Sequence, residues 1–337
     1  MRKNRLQALA AAAGMLVLIL DSRAALQGAR EGIELCIRTL VPSLFPFCVL
    51  SSLLTGSLIG QPIRILRPMG ILCGVPEGAE SLLAVGLLGG YPVGAQNIAQ
   101  AYRSGGIEKS DGEHLLAFCN NAGPAFIFGI LGHMFSDACI PWLLWGVHVV
   151  SALMVSILLT QQRGKFAAVP RRSSSIFDAL ELSLKVMALV CGWVVLFRMI
   201  LTFLERWFLW MLPEAFRIIA AGILELSNGC ILLEKIPTEG LRFLLAGVFL
   251  SAGGLCVTMQ TISVTKGLSL KLYFVGKTLQ SGISFLLCGF LQIVFVPEHR
   301  VQIPGYLMGI TMLFFAVLSF MMVKRKKISS NPAAVGV

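Results

Sequence analysis

Four apolar segments of this chain, roughly 77–102, 113–135, 214–234 and 241–263, are each interrupted near the middle, at GGYPVG, NNAGP, ELSNG and SAGG. Glycine, proline and amide side chains at those points stop a helix. The breaks matter because of their setting. Only 13% of the 337 residues are charged and 56% are apolar, with a mean hydropathy of +0.81, against about a quarter charged in an ordinary soluble chain. That composition belongs to a polytopic membrane protein. In hydrocarbon an unpaired N–H or C=O costs several kcal/mol, so broken backbone persists at membrane depth only where protein or a water-filled cavity supplies partners.

Other apolar runs are unbroken. Ile33 to Leu54, Cys139 to Thr160, Leu182 to Phe203, Tyr273 to Val296 and Tyr306 to Val323 read as ordinary spans. The run from Leu6 to Leu20 follows a basic start but lacks a convincing A-x-A site before Asp21, Ser22 and Arg23. It is expected as a retained, short span rather than a cleaved signal peptide.

The pieces come in the same order twice: span, broken, broken, span. IELCIR at 33–38 matches LELSLK at 180–185; GLLGGYPVG at 86–94 stands opposite GILELSNG at 222–229, and AFCNNAGP at 117–124 opposite VFLSAGG at 248–254. Gly146 and Gly276 keep the same offset as Gly123 and Gly253. The basic clusters MRKNR, QRGKFAAVPRR (within the 161–175 loop) and KRKK place both termini and that loop in the cytoplasm. The two broken segments of each half must then make one net crossing. Segments 77–102 and 214–234 are assigned as re-entrant hairpins, and 113–135 and 241–263 as broken spans. The expected architecture is all-α and polytopic, with two inverted-topology repeats. Its parts are an N-terminal span at 1–21, a first repeat at 30–160, a cytoplasmic basic loop at 161–175, a second repeat at 176–297, a C-terminal span at 304–323 and a cytoplasmic tail at 324–337.

Breaks at matching places in two inverted halves point to a midplane substrate site. Half-helix N-termini offer free N–H groups and partial positive charge, which suit an anionic or carbonyl-rich ligand. The candidate residues are therefore those at the four tips. The first tip supplies Gly90, Tyr91, Pro92, Gln96 and Asn97; the second supplies Asn120, Asn121, Gly123 and Pro124. Glu225, Ser227 and Asn228 come from the third, and Ser251, Gly253, Thr258 and Gln260 from the fourth. Asn120 and Asn121 either touch ligand or satisfy the unwound backbone. Glu225, flanked by Ile223, Leu224 and Leu226, is expensive in a membrane and is a functional candidate by default. It binds a proton, a cation or a ligand donor; otherwise it pairs with a basic neighbour or lies at the interface. Glu34 with Arg38 and Glu181 with Lys185 have the i, i+4 spacing of simple helix-face pairs.

Several function classes are excluded. The net charge of +11 (28 basic minus 17 acidic) sits in loops and ends without interleaved aromatics, so no nucleic-acid partner is expected. GGYPVGAQN lacks the preceding strand and Lys-Ser/Thr ending of a phosphate loop. His114, His133, His148 and His299 form no ligand-spaced cluster, and no nucleophile–base arrangement supports an enzyme. The nine cysteines form no CxxC and read as small buried hydrophobes. No cofactor is expected. A coupling ion, H+ or Na+, and a homo-oligomer are left open. The expected partners are a small anionic metabolite and the lipid bilayer.

The motifs LVPSLFPFCVLSSLL at 40–54, GGYPVGA at 89–95, LLAFCNNAGPAFIFGILG at 115–132, LELSNGC and GGLCVTMQ resemble the YlbJ (SpoVV) family of sporulation integral membrane proteins. That resemblance implies the nucleoside-recognition gate domain also found in concentrative nucleoside transporters. It also implies a multi-pass location in the mother-cell or outer forespore membrane of a sporulating bacterium, and movement of dipicolinic acid toward the spore. Relatives often carry a His where this chain has Thr258, so a proton-linked role there is not implied. A nucleoside or other small-metabolite transporter of the same fold, and a non-transporting membrane scaffold, are the alternatives.

Overall fold

The computed structural model describes residues 2–58, 60–159 and 175–295. Most of the basic loop at 161–175, the span Tyr306 to Val323, the tail and His299 lie outside the described residues. Among the described residues all the elements are helices. Five helical stretches among the described residues are long and apolar enough to cross a membrane: Ser22–Leu58, Ile140–Leu158, Ile176–Trp207, Glu239–Val264 and Lys271–Gln292. Many large apolar side chains face outward along them, including Ile37, Leu50, Trp142, Leu184 and Phe274. In water such a surface would aggregate; against lipid it is the expected exterior.

The chain enters through α1 (Arg2–Leu20) and turns into α2 (Ser22–Leu35), whose first turn is capped by the Asp21 carboxylate accepting from Ala24 N–H at 3.3 Å. A widened turn at Cys36–Leu40 carries α2 into α3 (Val41–Leu58), with Pro46 inside the helix. The helical run thus begins well before the apolar stretch at Ile33. Residues 22–34 are too polar to read as a span, yet they bury a stripe of Ala24, Gly28, Gly32 and Leu35. That stripe lies on α10 (Ile176–Trp207). A Cβ at Gly28 would stand 2.7 Å from Met199 Cα, and one at Gly32 2.8 Å from Val195 Cα. This is the close backbone approach that small residues four apart allow. Glu31 beside it accepts from Arg198, with a 2.8 Å bond from Nε.

After the short α4 (Arg67–Cys73) come α5 (Glu80–Leu88) and α6 (Val93–Arg103), which pack on each other across GGYP. α7 (Lys109–Leu116) gives way to non-helical chain at 118–123; α8 (Pro124–Phe126) restarts with Gly123 at its cap and continues as a wider helix to Leu131. Pro suits that first position because its missing N–H is one that a helix start leaves unpaired. α9 (Ile140–Leu158) closes the first half.

The second half runs through α10, then α11 (Glu214–Leu224) and α12 (Leu226–Leu232), packed together across Glu225. α13 (Glu239–Ala252) and α14 (Gly254–Val264) follow, and then α15 (Lys271–Phe295). Gly253 and Gly254 both take left-handed backbone, at φ +74° and +76°, where other residues are strained. α15 packs against α9, α13 and α7, so the last described helix lies across both halves.

The surface pairs behave as expected: Arg38 meets Glu34 at 3.1 Å and Lys185 meets Glu181 at 2.5 Å, all exposed. One expectation needs correcting. Most cysteines are buried, but Cys139 is exposed and Cys191 half-buried. Cys139 stands in the turn before α9, with its N–H bonded to Asp137 Oδ1 at 2.8 Å. The Asp137 charge raises the Cys139 thiol above its ordinary value. A thiol reagent should therefore label Cys139 ahead of the other described cysteines, with a rate that climbs from pH 7.5 to 9.5 as thiolate forms. Peptide mapping after brief maleimide exposure, for the natural chain and for Cys139→Ser, checks this.

Candidate functional site

The four interruptions lie close together in the structure. Their contacts depend on missing side chains. A Cβ at Gly90 would stand 3.4 Å from Gly123 N, so the first two tips touch backbone to backbone. A Cβ at Gly94 would overlap the Cys119 carbonyl, one at Gly229 would overlap Gly222, and one at Gly254 would stand 2.9 Å from Gly222 O. Each α-helical pair is thus seated against the following break in its half. The halves meet through Tyr91: its hydroxyl donates to Leu250 O at 3.0 Å, and its ring lies about van der Waals distance from where a Gly253 Cβ would be.

A cleft opens at this meeting point. It is lined by Leu40, Leu44, Tyr91, Ala122, Gly123, Phe126, Val190, Val194, Glu225, Leu226, Ser227, Val257 and Gln260. Its empty space is about 370 Å³ counted up to the open mouth. Part of that space is open to the outside. The wall is apolar, with a few convergent polar groups, the usual make-up of a small-molecule site.

Among the residues expected at the site, Tyr91, Gly123, Glu225, Ser227 and Gln260 face the cleft. Glu225 is 2% exposed. Its carboxylate accepts from Ser227 N–H at 3.0 Å, from Asn228 N–H at 2.7 Å and from Asn228 Nδ2 at 2.6 Å. Among the described residues it pairs with no basic side chain. It caps α12, and in doing so takes the N–H groups that a ligand anion would otherwise use. Gln260 Nε2 reaches back to Cys256 Sγ at 3.4 Å.

The two asparagines do not line the cleft; they hold the unwound chain. Asn120 Oδ1 accepts from Ala95 N–H at 3.3 Å, and its Nδ2 donates to Thr261 Oγ1 at 2.9 Å. Asn121 Nδ2 donates to Gly86 O at 3.1 Å and to Phe118 O. Other expected residues are turned inward or along their own helices. Asn97 Nδ2 donates to Val93 O and Thr258 Oγ1 to Gly254 O. Pro92 caps α6, Pro124 opens α8, and Ser251 Oγ lies 2.5 Å from Ser284 Oγ. Gln96 Oε1 is buried with no hydrogen-bond partner among the described residues. Gly90 and Gly253 serve the tip contacts already described.

Sequence reasoning passed over the most unusual charge. Lys277, on α15, is 5% exposed. Its ammonium donates to Tyr91 Oη at 2.9 Å, to Asn121 Oδ1 at 3.3 Å and to Gln280 Oε1 at 2.9 Å. It lies 4.9 Å from the Tyr91 ring centroid. Gln280 Nε2 donates in turn to Asn121 Oδ1 at 3.0 Å and to His148 O at 3.2 Å. His148 accepts from Ala122 N–H at 3.0 Å and lies 3.4 Å from Ser251 Oγ. The signal was present: a lysine inside the run Tyr273 to Val296 and a histidine inside Cys139 to Thr160 are intramembrane ionisable groups.

No family model matches the chain, and no solved structure matches it. Over 162 residues it is 26% identical to the sporulation integral membrane protein YlbJ of Bacillus subtilis (strain 168), a match covering 47% of this chain and 40% of that protein. The alignment therefore spans less than half of either protein. The chain is a polytopic, all-helical membrane protein with distant similarity to a sporulation membrane protein.

Proposed function

We propose that the protein is a transporter or facilitator for a small anion, dipicolinate or a related carboxylate, in a membrane of the sporulating cell. In this reading the halves are inverted gate repeats: 77–102 and 214–234 are re-entrant hairpins, and 113–135 and 241–263 are broken crossings. The observation that carries it is a single cleft lined by three of the interruptions, through Tyr91, Gly123 and Glu225, and by Gln260 from the helix that follows the fourth. Backbone breaks that meet at an apolar cleft with a few convergent polar groups are what a midplane site requires. Packing of α5 on α6 and of α11 on α12 supports the hairpins. Glu239–Val264, long enough to cross as one kinked piece, supports the broken crossing. The substrate rests on the sequence similarity rather than on the cleft. Glu225 faces the same space, so an anion enters at lower cost with a proton that neutralises the carboxylate.

Uptake into proteoliposomes tests this, with labelled dipicolinate and labelled uridine compared. Saturable dipicolinate flux is expected, falling at least about tenfold in Glu225→Gln while Km or kcat alone shifts in Tyr91→Phe. Uridine flux alone would make the protein a nucleoside carrier of the same fold. No flux of either from folded protein would favour a scaffold.

A further inference from the structure

An ammonium group has three N–H donors and no acceptor. At Lys277 all three are used, on Tyr91 Oη, Asn121 Oδ1 and Gln280 Oε1, with the Tyr91 ring face adding attraction for a cation. None is left for a substrate carboxylate. Among the described residues the ion pairs involve other basic side chains, and no carboxylate meets Lys277. The titratable groups facing it from the packed elements are Tyr91, Cys119 and, through Gln280, His148. A positive charge ringed by neutral oxygens, where the first two tips meet α15, has the donor set of a hard monovalent cation site: carbonyl and hydroxyl oxygens, without sulfur or imidazole.

We infer that the Lys277 ammonium is a tethered cation filling an oxygen-lined position that would otherwise suit a metal cation, so that this position neither needs nor binds Na+. The charge fixes Tyr91, Asn121 and Gln280 together and thereby joins the first two tips to α15. This deepens the transport reading, since a site organised by its own lysine does not draw on a sodium gradient. The inference is nonetheless tested without flux, so failure of one does not decide the other.

The experiment is thermal unfolding of the full chain in nanodiscs, in sodium, potassium or choline chloride at equal ionic strength. The natural protein should show the same Tm in all three. Lys277→Ala should unfold earlier in choline and recover by at least about 3 °C with millimolar Na+, K+ or methylammonium. Lys277→Met, which refills the space, should show no such recovery. A natural protein stabilised by Na+, or a Lys277→Ala variant that none of the three cations raises, would overturn the inference. Should Lys277→Ala not fold, a double-mutant comparison decides. Gln280→Leu should lower Tm in the natural background and have at most half that effect beside Lys277→Met. Equal effects in both backgrounds would show that the lysine charge does not organise the oxygens.

Discussion

Replacing Asn121 by alanine should destabilise the protein by about 3 kcal/mol or more, before any effect on transport is measured. The amide gives hydrogen bonds to Gly86 O and Phe118 O and receives them from Gln280 and Lys277. Its loss leaves two buried carbonyls without that donor and removes an acceptor from a buried ammonium. The cost is high because Asn121 is 1% exposed, and an unpaired polar group in a low-dielectric interior is expensive. Thermal unfolding in nanodiscs against the natural chain measures it. A change below about 1 kcal/mol would mean that the break at 118–123 is held by other contacts. The same reasoning bars Asn121→Ala as a clean probe of substrate contact, because lost flux would report lost structure. Glu225→Gln keeps the shape and one of the two accepting oxygens, and with its Tm measured alongside is the better probe.

Gly229→Val should be at least as damaging, by about 3 kcal/mol or more, because the new side chain meets backbone rather than a flexible neighbour. A Cβ there overlaps Gly222, and Gly222 itself lies under the Phe249 ring. α11 and α12 would have to separate, and with them the Glu225 cap. Gly146→Ala and Gly192→Ala are the controls: a Cβ at either meets nothing within 4 Å, so each should be neutral or stabilising by up to about 1 kcal/mol, since alanine is the better helix former. If all three variants behaved alike, the close approach of α11 and α12 would be wrong.

The breaks were legible in the sequence because the chemistry that stops a helix is local: glycine, proline and amides in an apolar run. The seating of Pro124 at the start of α8 and the surface pairs at Glu34 and Glu181 follow from spacing alone. The partners of the breaks were not legible. Asn120 and Asn121 signalled irregular backbone, but whether they face ligand or chain depends on residues 141 and 156 positions away, Thr261 and Lys277. Lys277 was readable as an intramembrane charge, and was overshadowed by Glu225 because Glu225 sits beside a visible break. The stripe Ala24, Gly28, Gly32 and Leu35 escaped a hydropathy reading because it buries small residues, not large apolar ones. The match of Gly146 with Gly276 has no common structural meaning: a Cβ at Gly276 overlaps the Ala117 carbonyl, whereas Gly146 has open space.

The position of α15 across both halves has a consequence for synthesis. Lys277 and Gln280 leave the ribosome long after Asn121 and Tyr91, 186 residues later in the case of the Lys277–Tyr91 pair. Until they arrive, the polar atoms of the first break have only part of their final set of partners. Hydrocarbon penalises that state, so the segment around 118–123 should settle at full depth only late, while the insertion machinery or the interface shelters it. The lysine would then enter the bilayer with its acceptors already gathered on one side. A chain stopped before residue 271 should be inserted but loosely held, with Asn121 and Tyr91 open to water-borne reagents that the complete protein excludes.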